Sequence, residues 1–518
     1  MKKIITLALI AAMMLTMIVV GTSAAAWDGT TASTALEGDG SAATPYLVKS
    51  AEDLAFLAKS VDEGTTYAGK YITQTADIDL GNKVFPTIGN DGKQFQGVYD
   101  GKGFKITNFN CVASEFDSGL FARVNSTAEF QAAILNVVLE GSISELTYTN
   151  AGADQNVGAL VGKLVGNDAK PAIVANCVVD VDVNIEKTLD SSSKILYVGG
   201  IIGYAMNSQV VNCVNKSDMR VVISSKHLFV GGVIGQSYYA MNVEGCANYG
   251  DIFAEDTTAG RMVLAGAMIG RTNGKAGTAY LLKNNVNYGD INAKAVGAAY
   301  ASGGIAQEFN SATENITVDS CANLGKVHAE TSTEGQNAYA GGILAYENVG
   351  STTVKNCAGL GEVTAAGVNK TMLPGYIVGV SNPGENQKDS SVKDCVATGK
   401  ANGWFGAKAK AENCTSDAEK YTVECAVYEM EKAAFEAART TVNGTVYSYS
   451  AKAVAEPVAP TAPETTAPET TAPTAPETTA PSTPSTPSTP NTGDVTSVIL
   501  LALVAACAGA VITIKRTK

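Results

Sequence analysis

Histidine is nearly absent from this chain of 518 residues: His227 in KHLF and His328 in VHAE are the only two. Neither belongs to HExxH or to a Cys/His cluster with zinc spacing, so no metal site is expected. A Ser-His-Asp triad would have to be built from histidines that both sit in repeat contexts. Nucleophile elbow, phosphate-binding loop and dinucleotide fingerprint are missing as well, so no cofactor and no catalytic residue is assigned. Basic surplus is also lacking. The formal charge is −13, and setting aside residues 1–26 and everything after Thr492, which hold five bases and one acid, leaves 32 Lys and Arg against 49 Asp and Glu. Such a field repels polyphosphate, and no basic stripe with interleaved aromatics appears, which excludes nucleic acid as a partner. Finally, the repeating part lacks amphipathic stretches of ten or more residues at a 3.6 period, which excludes helical repeats.

What is present begins with an export signal. Lys2 and Lys3, an apolar run from Ile4 to Val20 and the small residues Ala24, Ala25 and Ala26 form the three parts of a secretory signal peptide. Cleavage is expected after Ala26, with the mature chain starting at Trp27, and this is favoured over a retained N-terminal membrane helix.

Ten cysteines in an exported chain suggest a disulfide framework, but their positions mark a repeat. Cys177, Cys213, Cys246, Cys321, Cys357 and Cys395 recur at intervals of 36, 33, 75, 36 and 38, and Asn285 fills the double interval in the same context. The blocks VGALVG, VGGIIG, VGGVIG, AGAMIG, SGGIAQ, AGGILA and PGYIVG keep step, with first glycines Gly158, Gly199, Gly231, Gly266, Gly303, Gly341 and Gly375. Short Val/Ile/Ala runs, glycine pairs and Asn-rich corners at this period predict a β-solenoid.

Columns across the repeats give the orientation of each position. Three before the cysteine stand Val174, Val210, Val243, Leu282, Val318, Val354 and Val392, an inward column; two before it stand Ala175, Val211, Glu244, Lys283, Asp319, Lys355 and Lys393, mostly outward. Val183, Met219, Ile252, Ile291, Val327, Val363 and Ala401, six after it, point inward again. Asn215, Asn248, Asn287 and Asn323 stand where stacked amides can bond from coil to coil. Gly250, Gly289, Gly325, Gly361 and Gly399 are expected at a positive φ. The cysteines themselves read as buried reduced thiols rather than disulfides.

The Gly-rich blocks resemble the GLUG repeats of bacterial surface proteins over residues 40–415, and TPYLVKSAEDLAFLAKSVDEGTTYAGKYITQTADIDL with FPTIGNDGKQFQGVYDGKGFKITNF and SGLFARV is similar to their N-terminal coils. The resemblance implies an all-β, right-handed parallel β-helix and says little about activity. Some immunoglobulin-cleaving metalloproteases carry such repeats, but their zinc motif is not in this sequence.

The open ends of a coil need covers. Ser50 followed by Asp53 starts a capping-box-like helix whose apolar face is Leu54, Leu57, Ala58 and Val61, closed by Gly64. At the other end AVYEMEKAAFEAART, Ala426 to Thr440, predicts a second helix, followed by VNGTVYSYS as a hairpin or a final strand.

Two columns carry possible function. Asp182, Asp218, Asp251, Asp290, Lys326, Glu362 and Lys400, five after the cysteine, form a charged stripe. It is read as a solvated face, with a calcium site or the acid pair of a polysaccharide lyase or glycosidase as the rival. Three after the cysteine, Tyr249 and Tyr288 fall on successive coils and are the candidate contacts for a glycan or protein ligand, against the plainer reading of a corner where side chains pack on one another. Asp77, Asp79, Asp91 and Asp100 read as loop closers.

The tail completes the expectation. Residues 456–490 repeat APETTAP and then STP, a disordered Pro/Thr-rich stalk that could span on the order of 100 Å at about 3.1 Å per residue. Behind Pro490, Asn491, Thr492 and Gly493 come an apolar span, Val495 to Ile514, and the bases Lys515, Arg516 and Lys518. This order resembles a Gram-positive sortase signal, which implies cleavage between Thr492 and Gly493 and transfer of Thr492 to peptidoglycan. Thr489 stands where LPxTG has leucine, so a permanent membrane anchor through the same span stays open. The expected organisation is a signal peptide (1–26), N-terminal cap and first coils (27–110), repeats (111–415), C-terminal cap (416–455), stalk (456–490) and sorting signal (491–518), displaying a non-enzymatic β-helix at the cell surface for adhesion to host or dietary glycans or proteins.

Overall fold

The computed structural model describes residues 25–448, leaving aside 114–115, 148–153, 189–193, 225, 275–279, 309–314, 348–350, 369–371, 382–390, 398–401, 406–409 and 413–438. The stalk, Pro490 to Gly493 and the apolar span fall outside the described residues, as do Cys414, Cys425 and most of the signal peptide; no helix among the described residues is long and apolar enough to cross a membrane.

Each coil has three faces, as Ile195–Gly199, Ile202–Val211 and the pair Val214–Asn215 with Met219–Ser224 illustrate. Equivalent strands of successive coils pair in parallel, giving sheets of eight, 19 and 15 strands in that order of faces. The result is a parallel β-solenoid. Its register carries Val183 onto Met219, Ile252, Ile291, Val327 and Val363 without a slip. These side chains and the column from Val174 to Val392 are buried in one continuous core, together with Cys177, Cys213, Cys246, Cys321, Cys357 and Cys395. All seven described cysteines, Cys111 included, are free thiols, and burial pushes the thiols of Cys111, Cys177, Cys246 and Cys357 up. Asn285 takes the cysteine place by accepting from the Cys246 amide at 2.8 Å.

The asparagine ladder forms as its column suggests. Asn215 donates to Asn248, Asn248 to Asn287 and Asn287 to Asn323, at 2.8, 2.8 and 2.7 Å, and all four are fully buried.

Three details of the repeat differ from expectation. Gly250, Gly289, Gly325 and Gly361 do not have positive φ. They are glycines because a Cβ there would lie 1.8 to 2.1 Å from a carbonyl oxygen of the preceding coil. The left-handed position is instead the residue before the cysteine, held by Asn176, Asn212, Asn284 and Asn356 at φ 51 to 57°, a conformation that asparagine tolerates. In the SGGIAQ repeat, Ser302 and not Gly303 pairs with Gly266 and Gly341, so the block is read one residue out.

The N-terminal cover is the helix Ala51–Asp62, with the Ser50 hydroxyl accepting from the Asp53 amide at 3.4 Å and Leu54, Leu57, Ala58 and Val61 buried. At the other end Arg439 and Thr440, the last two residues of the expected helix, are strand, while Ala426 to 438 lie outside the described residues. Arg439–Val442 and Thr445–Ser448 pair antiparallel around Asn443 and Gly444, both at positive φ, the turn that Asn-Gly selects. This hairpin packs beside the early coils. Val442 is buried with Val98, Ala133, Leu135, Ile173 and Ala175. The Asn443 side chain accepts from the Gln131 amide and donates to the Gln131 carbonyl, both at 3.0 Å. Where the outward column is apolar it is covered; farther along it turns to Glu244, Lys283, Asp319 and Lys355, which pair across coils.

Candidate functional site

The charged stripe proves to be part of the coil's own bonding. Asp182, Asp218, Asp251 and Asp290 are exposed, yet each accepts through Oδ1 from the backbone amide of the equivalent residue in the next coil, at 3.3, 3.0, 2.7 and 2.7 Å. Among the described residues no three His, Cys, Asp or Glu side chains are arranged to hold a metal. His227 accepts from the Met262 amide at 3.0 Å, and His328 meets the Thr364 hydroxyl at 2.7 Å.

Tyr249 and Tyr288 stack with ring centroids 4.5 Å apart and planes 5° from parallel. Each is half-buried, Tyr249 against Val214 and Ala247 and Tyr288 against Val286 and Ala322. One face of each ring is therefore occupied by the other.

A concave site lies elsewhere, where the first face turns into the second. The turn is so tight that outward side chains of the two faces touch: Tyr197 meets Tyr204 at 5.7 Å, and Tyr346 meets Tyr300 and Tyr339 at 5.2 and 5.3 Å. Glycine forms the floor, since a Cβ at Gly203 would lie 2.7 Å from Val157 N and one at Gly235 2.8 Å from Val198 N, both on the facing strand. One wall is the column Asp117, Asn156, Tyr197, Phe229, Leu264, Tyr300 and Tyr339. The other is Arg123, Lys163, Tyr204, Gln236, Arg271, Gln307 and Tyr346. From Tyr197 onward the first wall is apolar and packs with Tyr204 and Tyr346 as a second small core, while Gln236, Arg271 and Gln307 stand on the second wall between them.

In the first two coils the first wall too becomes polar, with Asp117 and Asn156 in place of rings, and the notch opens into a cavity of about 300 Å³ lined by Asp91, Asp117, Arg123, Asp154, Asn156, Lys163, Tyr197 and Tyr204. Arg123 is anchored on both sides, to Asp117 at 2.6 Å and to Asp91 at 2.5 Å. Asp117 also accepts from Asn156 Nδ2 at 2.6 Å. Burial raises the Asp117 carboxyl above its usual range, against the opposing pull of Arg123 and Asn156. Lys163 lies over the Tyr204 ring, 5.0 Å from its centroid, with no carboxylate within ion-pair distance among the described residues. Burial and the neighbouring Arg123 lower its pKa. Asn156 Oδ1 is buried and has no hydrogen-bond partner among the described residues.

Sequence columns counted from the cysteine missed this site, because its residues break the repeat. The available signal was Asp117 and Asn156 standing in an otherwise aromatic and apolar column. Asp91, read as a loop closer, binds Arg123 at the cavity wall, and Asp77 accepts from the distant Lys105 amide, whereas Asp79 and Asp100 do accept from the backbone amides two residues on.

No protein-family model matches the chain. Halomucin of Haloquadratum walsbyi is 29% identical over 202 residues, 35% of this chain but only 2% of halomucin. A crystal structure from Bacteroides ovatus, described as a candidate immunoglobulin A1 protease, matches with a TM-score of 0.41 and 17% identity over 79% of this chain and 93% of that one, too distant to bear on what this chain does.

Proposed function

We propose that this chain is a cell-surface β-solenoid that binds an extracellular glycan or protein through the charged end of its notch. The reading includes a right-handed, GLUG-like coil, in keeping with the usual hand of parallel crossovers. It also includes display on the Pro/Thr stalk with Thr492 joined to peptidoglycan by a sortase; Thr492→Ala is expected to move the protein from the wall fraction to the membrane fraction. The observation that carries the binding role is the cavity itself: the asparagine ladder and the aspartate stripe are spent on coil-to-coil bonds, while among the described residues the cavity holds the half-buried Lys163 without a carboxylate in ion-pair distance and the buried Asn156 Oδ1 without a donor.

A binding role is favoured over hydrolysis because both oxygens of the raised acid Asp117 are engaged, by Asn156 and by Arg123. The test is capture of purified extracellular glycoproteins and polysaccharides by the full chain, with chain length of the polysaccharide followed in parallel. Capture that survives changes at Lys163 but is lost in Tyr249→Ala/Tyr288→Ala would move the site to the tyrosine ladder. Depolymerisation would overturn the non-enzymatic reading.

A further inference from the structure

The unspent groups of the cavity restrict what can occupy it. Arg123 is held between Asp91 and Asp117, and Asp154 accepts from the Ile195 amide at 3.0 Å. Tyr197 Oη donates to Asp154 Oδ2 at 3.5 Å, and among the described residues the ammonium of Lys163 is a donor with no carboxylate in ion-pair distance and Oδ1 of Asn156 an acceptor with no donor, beside the edge-on pair of Tyr197 and Tyr204. The amide orientation of Asn156 is fixed, because its Nδ2 is committed to Asp117 at 2.6 Å. A buried acceptor left without a donor is costly, which makes a ligand donor at Oδ1 the natural completion of the site.

Three classes of ligand group can be compared. A carboxylate would satisfy Lys163, but it offers Asn156 Oδ1 no proton and enters a wall that already holds Asp91, Asp117 and Asp154. An ammonium would donate to Asn156 and be repelled by Lys163. A hydroxyl both donates and accepts, so two neighbouring hydroxyls satisfy both groups without adding charge. The tyrosine edges supply apolar surface for the carbon side of the same molecule, and about 300 Å³ lies at the small end of ligand sites.

We infer that the cavity at the charged end of the notch, built on Lys163, Asn156, Tyr197 and Tyr204, binds a neutral pyranose unit through vicinal hydroxyls. This rests on the binding role proposed above and names its ligand class.

The test is calorimetric titration of the full chain with methyl hexopyranosides and neutral hexose disaccharides, alongside hexuronic acid and hexosamine. Neutral sugars are expected to bind, and Lys163→Met and Asn156→Leu are each expected to weaken that binding at least about tenfold, the first with the unfolding midpoint kept and the second with the midpoint lowered by loss of the bond to Asp117, while Tyr249→Ala/Tyr288→Ala leaves binding unchanged. Preference for hexuronic acid or hexosamine overturns the neutral class. Neutral binding unchanged in both cavity variants overturns the site. Capture of an enzymatically deglycosylated glycoprotein, lost in Lys163→Met, with no sugar bound, overturns the sugar inference and leaves the wider binding role standing; absence of any capture overturns both.

Discussion

Two polar regions of this solenoid use the same kinds of side chain to opposite ends. On the third face, Asn215, Asn248, Asn287 and Asn323 spend their amides on one another, and Asp182 to Asp290 spend a carboxylate oxygen on the next coil's amide. In the first two coils of the notch, Asn156 stands between Asp117 and Tyr197 and Lys163 between Arg123 and Tyr204, and an acceptor and a cation are left open among the described residues. The difference is periodicity. A residue type repeated at every coil finds its partner 4.8 Å away by construction, and one that appears for a coil or two cannot close such a ladder.

The largest effect should come from breaking the ladder. Asn248→Ala removes the bond from Asn215 and the bond to Asn287 and leaves buried groups unsatisfied, so a loss of about 3 kcal/mol is expected in urea unfolding. A loss below about 0.5 kcal/mol would show that the ladder does not hold the coils together. Next comes the C-terminal cover: Val442→Ala, at a fully buried position, should lower stability by about 2 kcal/mol and raise hydrogen exchange in the strands bearing Ala133 and Ile173.

A titration sharpens the contrast from within the core. Burial pushes the Asp256 carboxyl up to about 6, against backbone bonds from Thr258 and Lys226 and the charge of Arg261. The folded state thus holds a proton that the unfolded state has already lost, so Asp256 makes stability fall as pH rises from about 4 to about 6 and level off above it. Asp256→Asn should remove that slope, read as the difference between the two unfolding profiles across the same range. The smallest effect is expected on the exposed stripe, where Asp251→Asn should change stability by less than about 0.5 kcal/mol, because the amide oxygen can still accept from the Asp290 backbone.

How much of this was legible follows the same division. The inward columns, the reduced cysteines, the asparagine ladder and the Ser50-capped helix could be read because each depends on a residue type at a fixed offset. Gly250 and its equivalents stand out in the sequence, but a glycine required by a neighbouring carbonyl looks there like one required by its φ. Thr440 was placed in a helix because the preceding residues are strong helix formers, while Asn443 and Gly444 decided the local turn. Of the cavity, the sequence carries only the break at Asp117 and Asn156 in an otherwise apolar column. The cavity itself depends on two faces folding toward each other over Gly162 and Gly203, and on Asp117 and Asn156 replacing the apolar side chains of the first wall beside Arg123 and Lys163 of the second.

Lys163→Met tests the central claim most directly, with unfolding midpoint and ligand binding measured on the same sample. The variant keeps an apolar stem over Tyr204 and removes a half-buried cation that has no carboxylate partner within ion-pair distance among the described residues. A residue kept for binding should yield a midpoint equal to or above that of the parent together with lost binding. A midpoint lowered as far as that of Asn248→Ala, with binding intact, would make Lys163 part of the scaffold and contradict the account.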